Sequence, residues 1–306
     1  MNRRHLFQLV SASALAVALV ACESDGSSSS DEPTGDTAGN GTTSDTGDTL
    51  PEPPSAGLAH PTGPEDEIVN YSEVGGFTTM EYAFQQPPVL LISGDGRVFT
   101  TGPVAAVYPG PMLPNIQVGT ITEEGIQTVL TTADEAGLLA DVDYEAPTNV
   151  ADATTASVTL NVDGVSWLHE AYALGIGAGP DAAAGSESTP EREALLEFTR
   201  QLTDLPGLVG ADQLGPVAPF EAEEYLIRAV PVDDVSSFGG DGIEPTVVDW
   251  PATIGVALAD ASDCTVVAAA DVGELFTAAD QLTLFTDGDI TYQILAVQRL
   301  PHRSCD

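Results

Sequence analysis

The side chains that move protons or hold metals are unevenly supplied in this sequence: histidine is scarce and carboxylate is abundant. Beyond the N-terminal segment the histidines are His60, His169 and His302. His169 stands beside Glu170, just after Trp167 in a strand-like segment, and this pair is the one candidate for acid–base work or ligation. His302 lies three residues before Cys305, and His60 falls in a polar stretch where a solvated ring is expected. Neither His-Glu-x-x-His nor Cys-x-x-Cys occurs, so no metal site is expected. Acidic clusters stand at Asp141-Val142-Asp143, Asp233-Asp234 and Asp287-Gly288-Asp289. None has the Asp-x-Asp-x-Asp-Gly run and later glutamate of a calcium loop, and turn chemistry accounts for them. The carboxylates leave a glycosidase-like pair open, although aromatic residues, at 6%, are few for a sugar cleft. Lysine is absent, which removes Gly-Lys-Ser/Thr phosphate loops, Ser-Lys dyads and Schiff bases. No Gly-x-Ser-x-Gly elbow is present, and the glycine-rich run GIGAGPDAAAGS at 175–186 lacks the strand-then-helix context of a dinucleotide fingerprint. No catalytic residue and no cofactor is therefore assigned.

Cysteine carries clearer chemistry. The stretch LVACESDGSSSS places Cys22 between an apolar run, Leu6 to Val20, and a run of serines. With Arg3 and Arg4 ahead of it, that run is too short to span a bilayer and reads as an export signal. Leu19-Val20-Ala21-Cys22 resembles the bacterial lipobox, which implies cleavage before Cys22 and acylation of its thiol. Arg3-Arg4-His5-Leu6-Phe7 also resembles a twin-arginine signal, which implies export in the folded state. With Cys22 acylated, Cys264 and Cys305 remain, and in an oxidising compartment they are expected to form a disulfide.

All eight basic residues are arginines, and the formal net charge of the 306-residue chain is -39. Such a surface repels phosphate backbones, so nucleic acid is excluded as a partner. Anionic headgroups are repelled too, which leaves the acyl chains on Cys22 as the hold on a lipid bilayer. Charged residues are only 18% and hydrophobic residues 42%, so the excess acid reflects missing bases around an ordinary folded body. Screening by salt accounts for it; the functional alternative is a cation or a basic partner.

Residues 22–60 are rich in Ser, Thr, Gly, Asp and Pro and read as a disordered tether, with ends about 35 Å apart as a flexible coil. Three hairpins follow in the body. They are Val89–Ile92 with Arg97–Phe99, Ser157–Val162 with Val165–Leu168 across Asp163-Gly164, and Leu282–Phe285 with Ile290–Tyr292 across Asp287-Gly288. A further strand covers Glu224–Val230. Helices are expected from Thr122 to Gly137, from Ser188-Thr189-Pro190-Glu191 onward, and from Gly273 to Gln281. The glycine- and proline-rich stretch from Leu205 to Pro216 is a candidate boundary. The expected organisation is thus a signal at 1–21, the tether at 22–60, and α+β units at 61–215 and 216–306, with about three helices against antiparallel hairpins. Trp250-Pro251, Cys264, the Asp287-Gly288 hairpin, Arg299-Leu300-Pro301-His302 and Cys305, with Gly75-Gly76-Phe77 through Arg97, resemble a pattern in exported lipoproteins of high-GC bacteria. That resemblance implies a shared fold and export, without an activity.

These readings converge on a non-enzymatic binding or scaffolding module of the cell envelope. It faces the periplasm or cell exterior, with an envelope protein or a cation as candidate partner. The alternatives are a secreted carboxylate-dependent hydrolase and a purely structural envelope component. A pocket lined by acids of raised pKa would favour the hydrolase.

Overall fold

The Asp-Gly turn of the second hairpin illustrates how local chemistry sets this architecture. Asp163 and Gly164 both adopt positive φ, at 52° and 74°, the backbone a two-residue type I′ turn demands. They join β5 (Thr154–Val162) to β6 (Val165–Tyr172). The computed structural model describes residues 57–176, 188–239 and 242–305. Cys22, the signal, the tether up to residue 56 and the glycine-rich run from 177 lie outside the described residues.

The fold is α+β. Five further strands complete the first sheet: β1 (Glu67–Gly75), β2 (Leu90–Ser93), β3 (Arg97–Thr101), β4 (Ile116–Thr120) and β7 (Ala218–Pro219). Its order is β6-β5-β1-β2-β3-β4-β7, antiparallel throughout. The second sheet holds β8 (Glu224–Pro231), β9 (Thr246–Asp249), β10 (Thr265–Ala268), β11 (Thr283–Asp287) and β12 (Ile290–Gln298), in the order β10-β8-β12-β11-β9. β9 joins it parallel to β11, so this sheet is mixed where antiparallel pairing alone was expected. Both sheets belong to one compact unit, Pro53–Asp306. Because β7 completes the first sheet, the chain passes to the second sheet after residue 219, not at 216.

The helices number five among the described residues, where about three were expected. They are α1 (Met80–Gln85), α2 (Glu123–Glu135), α3 (Pro190–Thr203), α4 (Leu205–Val209) and α5 (Ala269–Ala278). Thr122 caps α2 and Gly137 follows it in the left-handed region, as its residues foretell. The α3 cap is Thr189, one residue later than the Ser188 spacing suggests, with Pro190 opening the helix. α5 begins four residues before Gly273, directly from β10, and that glycine sits inside it. α4 forms where a linker was expected: Pro206 fits its first turn, and Leu205 and Val209 bury their side chains.

Strand alternation gives the first sheet two covered faces. Val69, Tyr71, Leu90, Ile92, Val98, Val158 and Leu160 meet Val129 and Leu130 of α2, Leu195, Phe198 and Leu202 of α3, and Leu205. On the opposite side Leu91, Phe99 and Ile116 pack with Leu300. The second sheet builds its own core from Ile227, Phe285, Tyr292 and Ile294 against Phe276 of α5, Trp250 and Leu258.

Candidate ligand-binding cleft

His169 and Glu170 point to opposite faces of β6, and only the histidine is buried, at 1% exposure. It therefore joins no acid–base pair with Glu170. Register places it opposite Val158 on the helix-covered face. Its Nε2 lies 2.8 Å from the Leu138 carbonyl, which only accepts, so Nε2 carries the proton and Nδ1 accepts from the Tyr144 hydroxyl at 2.9 Å. Burial and nearby Glu191 push the Tyr144 phenol up to about 12, which keeps it a donor. Burial lowers the His169 pKa below its ordinary 6.5, against smaller opposing effects of the Leu138 carbonyl and Asp141. This ring is a bridge between β6, the end of α2 and the Tyr144 loop.

A pH dependence follows. The unfolded chain protonates His169 below about 6.5 while the folded chain resists, so its contribution is whole above that pH and is lost as pH falls further. The melting temperature of wild type relative to His169→Gln is expected to be pH-independent above about 7 and to decline toward pH 5. A constant difference across that window would refute the assignment.

His60 is not solvated. Its side chain is 6% exposed, with Nε2 3.1 Å from Glu123 at the start of α2 and Nδ1 2.8 Å from the Pro61 carbonyl. Hydrogen bonds from Gln127 and His60 hold the Glu123 carboxyl below its usual range. His302 is exposed on a turn with φ 62°. The acidic clusters serve the backbone where their contacts are seen: Asp287 accepts from the Leu258 amide at 2.8 Å, and Asp234 from the Ser236 amide at 3.0 Å. Asp141, Asp143 and Asp233 are exposed. Cys264 and Cys305 come to disulfide distance, with Cα atoms 5.3 Å apart. Among the described residues no group of three His, Cys, Asp or Glu is arranged to hold a metal ion.

A cleft forms elsewhere, for a geometric reason. Seven strands make a sheet wider than three helices can cover, and α2, α3 and α4 pack over the half nearer β5, β1 and β2. Beyond them the floor is Val98, Thr100 and Gly119, which register places side by side on β3 and β4. Leu202, Thr203, Leu205 and Pro206 form one wall, and Leu214, Gly215 and Val217 the other. The cleft holds about 390 Å³, within the ~300–1,000 Å³ of small-molecule sites. Gly119 deepens it, since a β-carbon there would lie 3.2 Å from Val217 Cγ2. None of the lining residues is ionisable. Apolar burial with a few hydroxyls is the chemistry this lining offers.

A second cleft of about 470 Å³ lies between the sheets, lined by Glu65, Asp95, Glu221, Glu223 and Glu224 with Arg97 and Arg299. Its guanidinium groups are engaged: Arg299 bonds Glu224 at 2.8 Å and Glu65 at 3.3 Å, and Arg97 bonds Asp95 at 2.8 Å while lying over Phe99. Burial would raise the Asp95 carboxyl, but hydrogen bonds from Ser93 and Arg97 and the guanidinium charge outweigh it and hold it low. A hydrolytic general acid needs the opposite shift. This acidic seam is bridged between the sheets by one ion pair, Arg299 with Glu65.

Of this apolar site, sequence reasoning reached only scattered pieces. Its one local signal is Gly119 in the interior of a strand, a place where glycine marks close approach or a vacated volume. Comparison with protein-family models, with curated proteins and with solved structures finds no match to this chain.

Proposed function

We propose that this chain is an exported lipoprotein, anchored through acylated Cys22, whose α+β body is a non-catalytic binding module working at the β3–β4 cleft. One observation carries the binding half: a cleft of ligand size whose lining is apolar or hydroxylic, without an ionisable group. The lipobox-like Leu19-Val20-Ala21-Cys22 carries the anchor half. Among the described residues no helix is long and apolar enough to cross a membrane.

Two measurements test the halves separately. Cys22→Ala is expected to move the protein from the membrane to the soluble fraction, and continued membrane association would refute the anchor. The soluble mature chain, residues 22–306 carrying Cys22→Ala, is expected to enhance the fluorescence of an uncharged naphthylamine dye. Gly119→Leu, which fills the floor, is expected to abolish that enhancement. Equal enhancement in the variant would remove the cleft from the proposal.

A further inference from the structure

The walls of the cleft restrict what can occupy it, an inference that rests on the binding reading above. We propose that it takes the aliphatic chain of an uncharged lipid, whose hydroxyl or ester head hydrogen-bonds to Thr100.

Charge is the first restriction. The lining offers no cation to a carboxylate or phosphate and no carboxylate to an amine. A charged head brought there would lose hydration without gaining a partner. Anions are further opposed by a chain of net charge -39. A neutral head meets neither cost.

The polar supply is the second. Thr203 Oγ1 donates to the Arg200 carbonyl, so that hydroxyl is engaged. Thr100 stands on the cleft side of β3, in register with Gln117 and two residues from Val98. Its hydroxyl makes no hydrogen bond among the described residues, and it both donates and accepts. A glycerol hydroxyl or an ester carbonyl is the kind of group that matches it.

Shape is the third. The volume admits roughly a dozen water-sized groups, room for a chain segment and too little for a folded partner. An extended peptide adding to the sheet is disfavoured, because the outer edge of β4 is already taken. Gly215 N donates to the Thr120 carbonyl, β7 pairs with Gln117 and Val118, and Phe220 N donates to the Ile116 carbonyl. What is open is the bare floor beside Gly119, and an alkyl chain needs no more than that.

The test uses residues 22–306 carrying Cys22→Ala with the naphthylamine dye bound, titrated with monodecanoylglycerol, decanoate, decyltrimethylammonium or an apolar decapeptide. The glycerol ester is expected to displace the dye at concentrations at least about tenfold below either charged amphiphile. Thr100→Val, isosteric and without the hydroxyl, is expected to weaken the ester by about three- to tenfold while the dye binds as before. Gly119→Leu, which binds no dye, should also fail to bind the ester by calorimetry, and an unchanged disulfide and circular dichroism spectrum show that it folds. Decanoate matching the ester, or the peptide displacing dye where the ester does not, would overturn the lipid assignment and leave the binding cleft standing. An ester affinity unaffected by Thr100→Val would overturn the head contact. A dye that never binds defeats the binding reading itself, a result distinct from all of these.

Discussion

Replacing both Cys264 and Cys305 by serine is expected to cost about 4 kcal/mol of stability, read as a lowered urea midpoint with an altered slope. The two residues are 41 apart in sequence, and cross-linking them removes that loop's closure entropy from the unfolded chain. In a body of this size the change corresponds to a melting temperature lower by about 10 °C. The loss should also be uneven. The bridge ties the start of β10 to a tail that holds α1, since Arg303 donates to the Phe84 and Gln86 carbonyls at the end of that helix. α1 in turn reaches the second sheet through Gln85, whose amide bonds the Met112 and Ala296 carbonyls. Amide exchange should therefore rise first in residues 80–86 and 299–305, while β1 and β5 keep their protection. A double variant with an unchanged midpoint would show that Arg299 and Arg303 alone hold the tail.

The second large effect is expected at Arg192. This side chain is 7% exposed, and its guanidinium donates to three carbonyls: Glu145 at 3.2 Å, Tyr172 at 2.8 Å and Ala173 at 3.1 Å. Burial lowers its pKa, yet an arginine stays protonated at any physiological pH. Its position is costly by helix electrostatics, a cation in the first turn of α3 facing the positive end of the dipole. What it gains is the fork. Ala173 is a non-glycine residue with φ 54°, just past β6, and Arg192 bonds the carbonyl on either side of that turn's start. Arg192→Met keeps most of the volume and leaves three acceptors without a donor, so a loss of about 3–4 kcal/mol is expected. Arg192→Lys should recover only part, because one ammonium cannot span the three carbonyls. Chemical denaturation of the three proteins decides it, and a methionine variant within about 1 kcal/mol of wild type would refute the role.

The disulfide and Arg192 show where reading the sequence works and where it stops. The disulfide is legible because three cysteines leave one pairing once Cys22 is set aside. The hairpin across Asp163-Gly164, the one marked by Asp287-Gly288, whose turn residues are Gly288 and Asp289, and the starts of α2 and α3 are legible because turns and caps are written within four residues. Arg192 is not, because between Glu191 and Glu193 it reads as part of a solvated helix face. Its burial depends on carbonyls 19, 20 and 47 residues away. His60 misleads for the same reason, since its partner Glu123 lies 63 residues on. β9 pairs in parallel through a crossover with no local mark. The cleft is the extreme case. It is a gap left by the difference between the width of a sheet and the reach of its helices, made of residues that are unremarkable one by one.

The way the chain enters the body has a mechanical meaning. Leu58 exchanges reciprocal hydrogen bonds with the Gln127 amide, at 2.8 and 2.9 Å, and Ala59 with Asp163, at 3.0 and 2.7 Å. With the His60–Glu123 contact, these grip the chain just as it leaves residue 57. A pull from the N-terminal side is thus borne at the β5–β6 turn and the first turns of α2. The two holds fall at different places on the first sheet, because α2 starts directly after β4, whose Gly119 floors the cleft, while the β5–β6 turn lies four strands away, about 19 Å at ~4.8 Å per strand. Drag on the proposed anchor would then be shared between the far margin of the sheet and the strand end beside the cleft, so that tension on the tether reaches the proposed ligand's floor through Glu123 and Gln127.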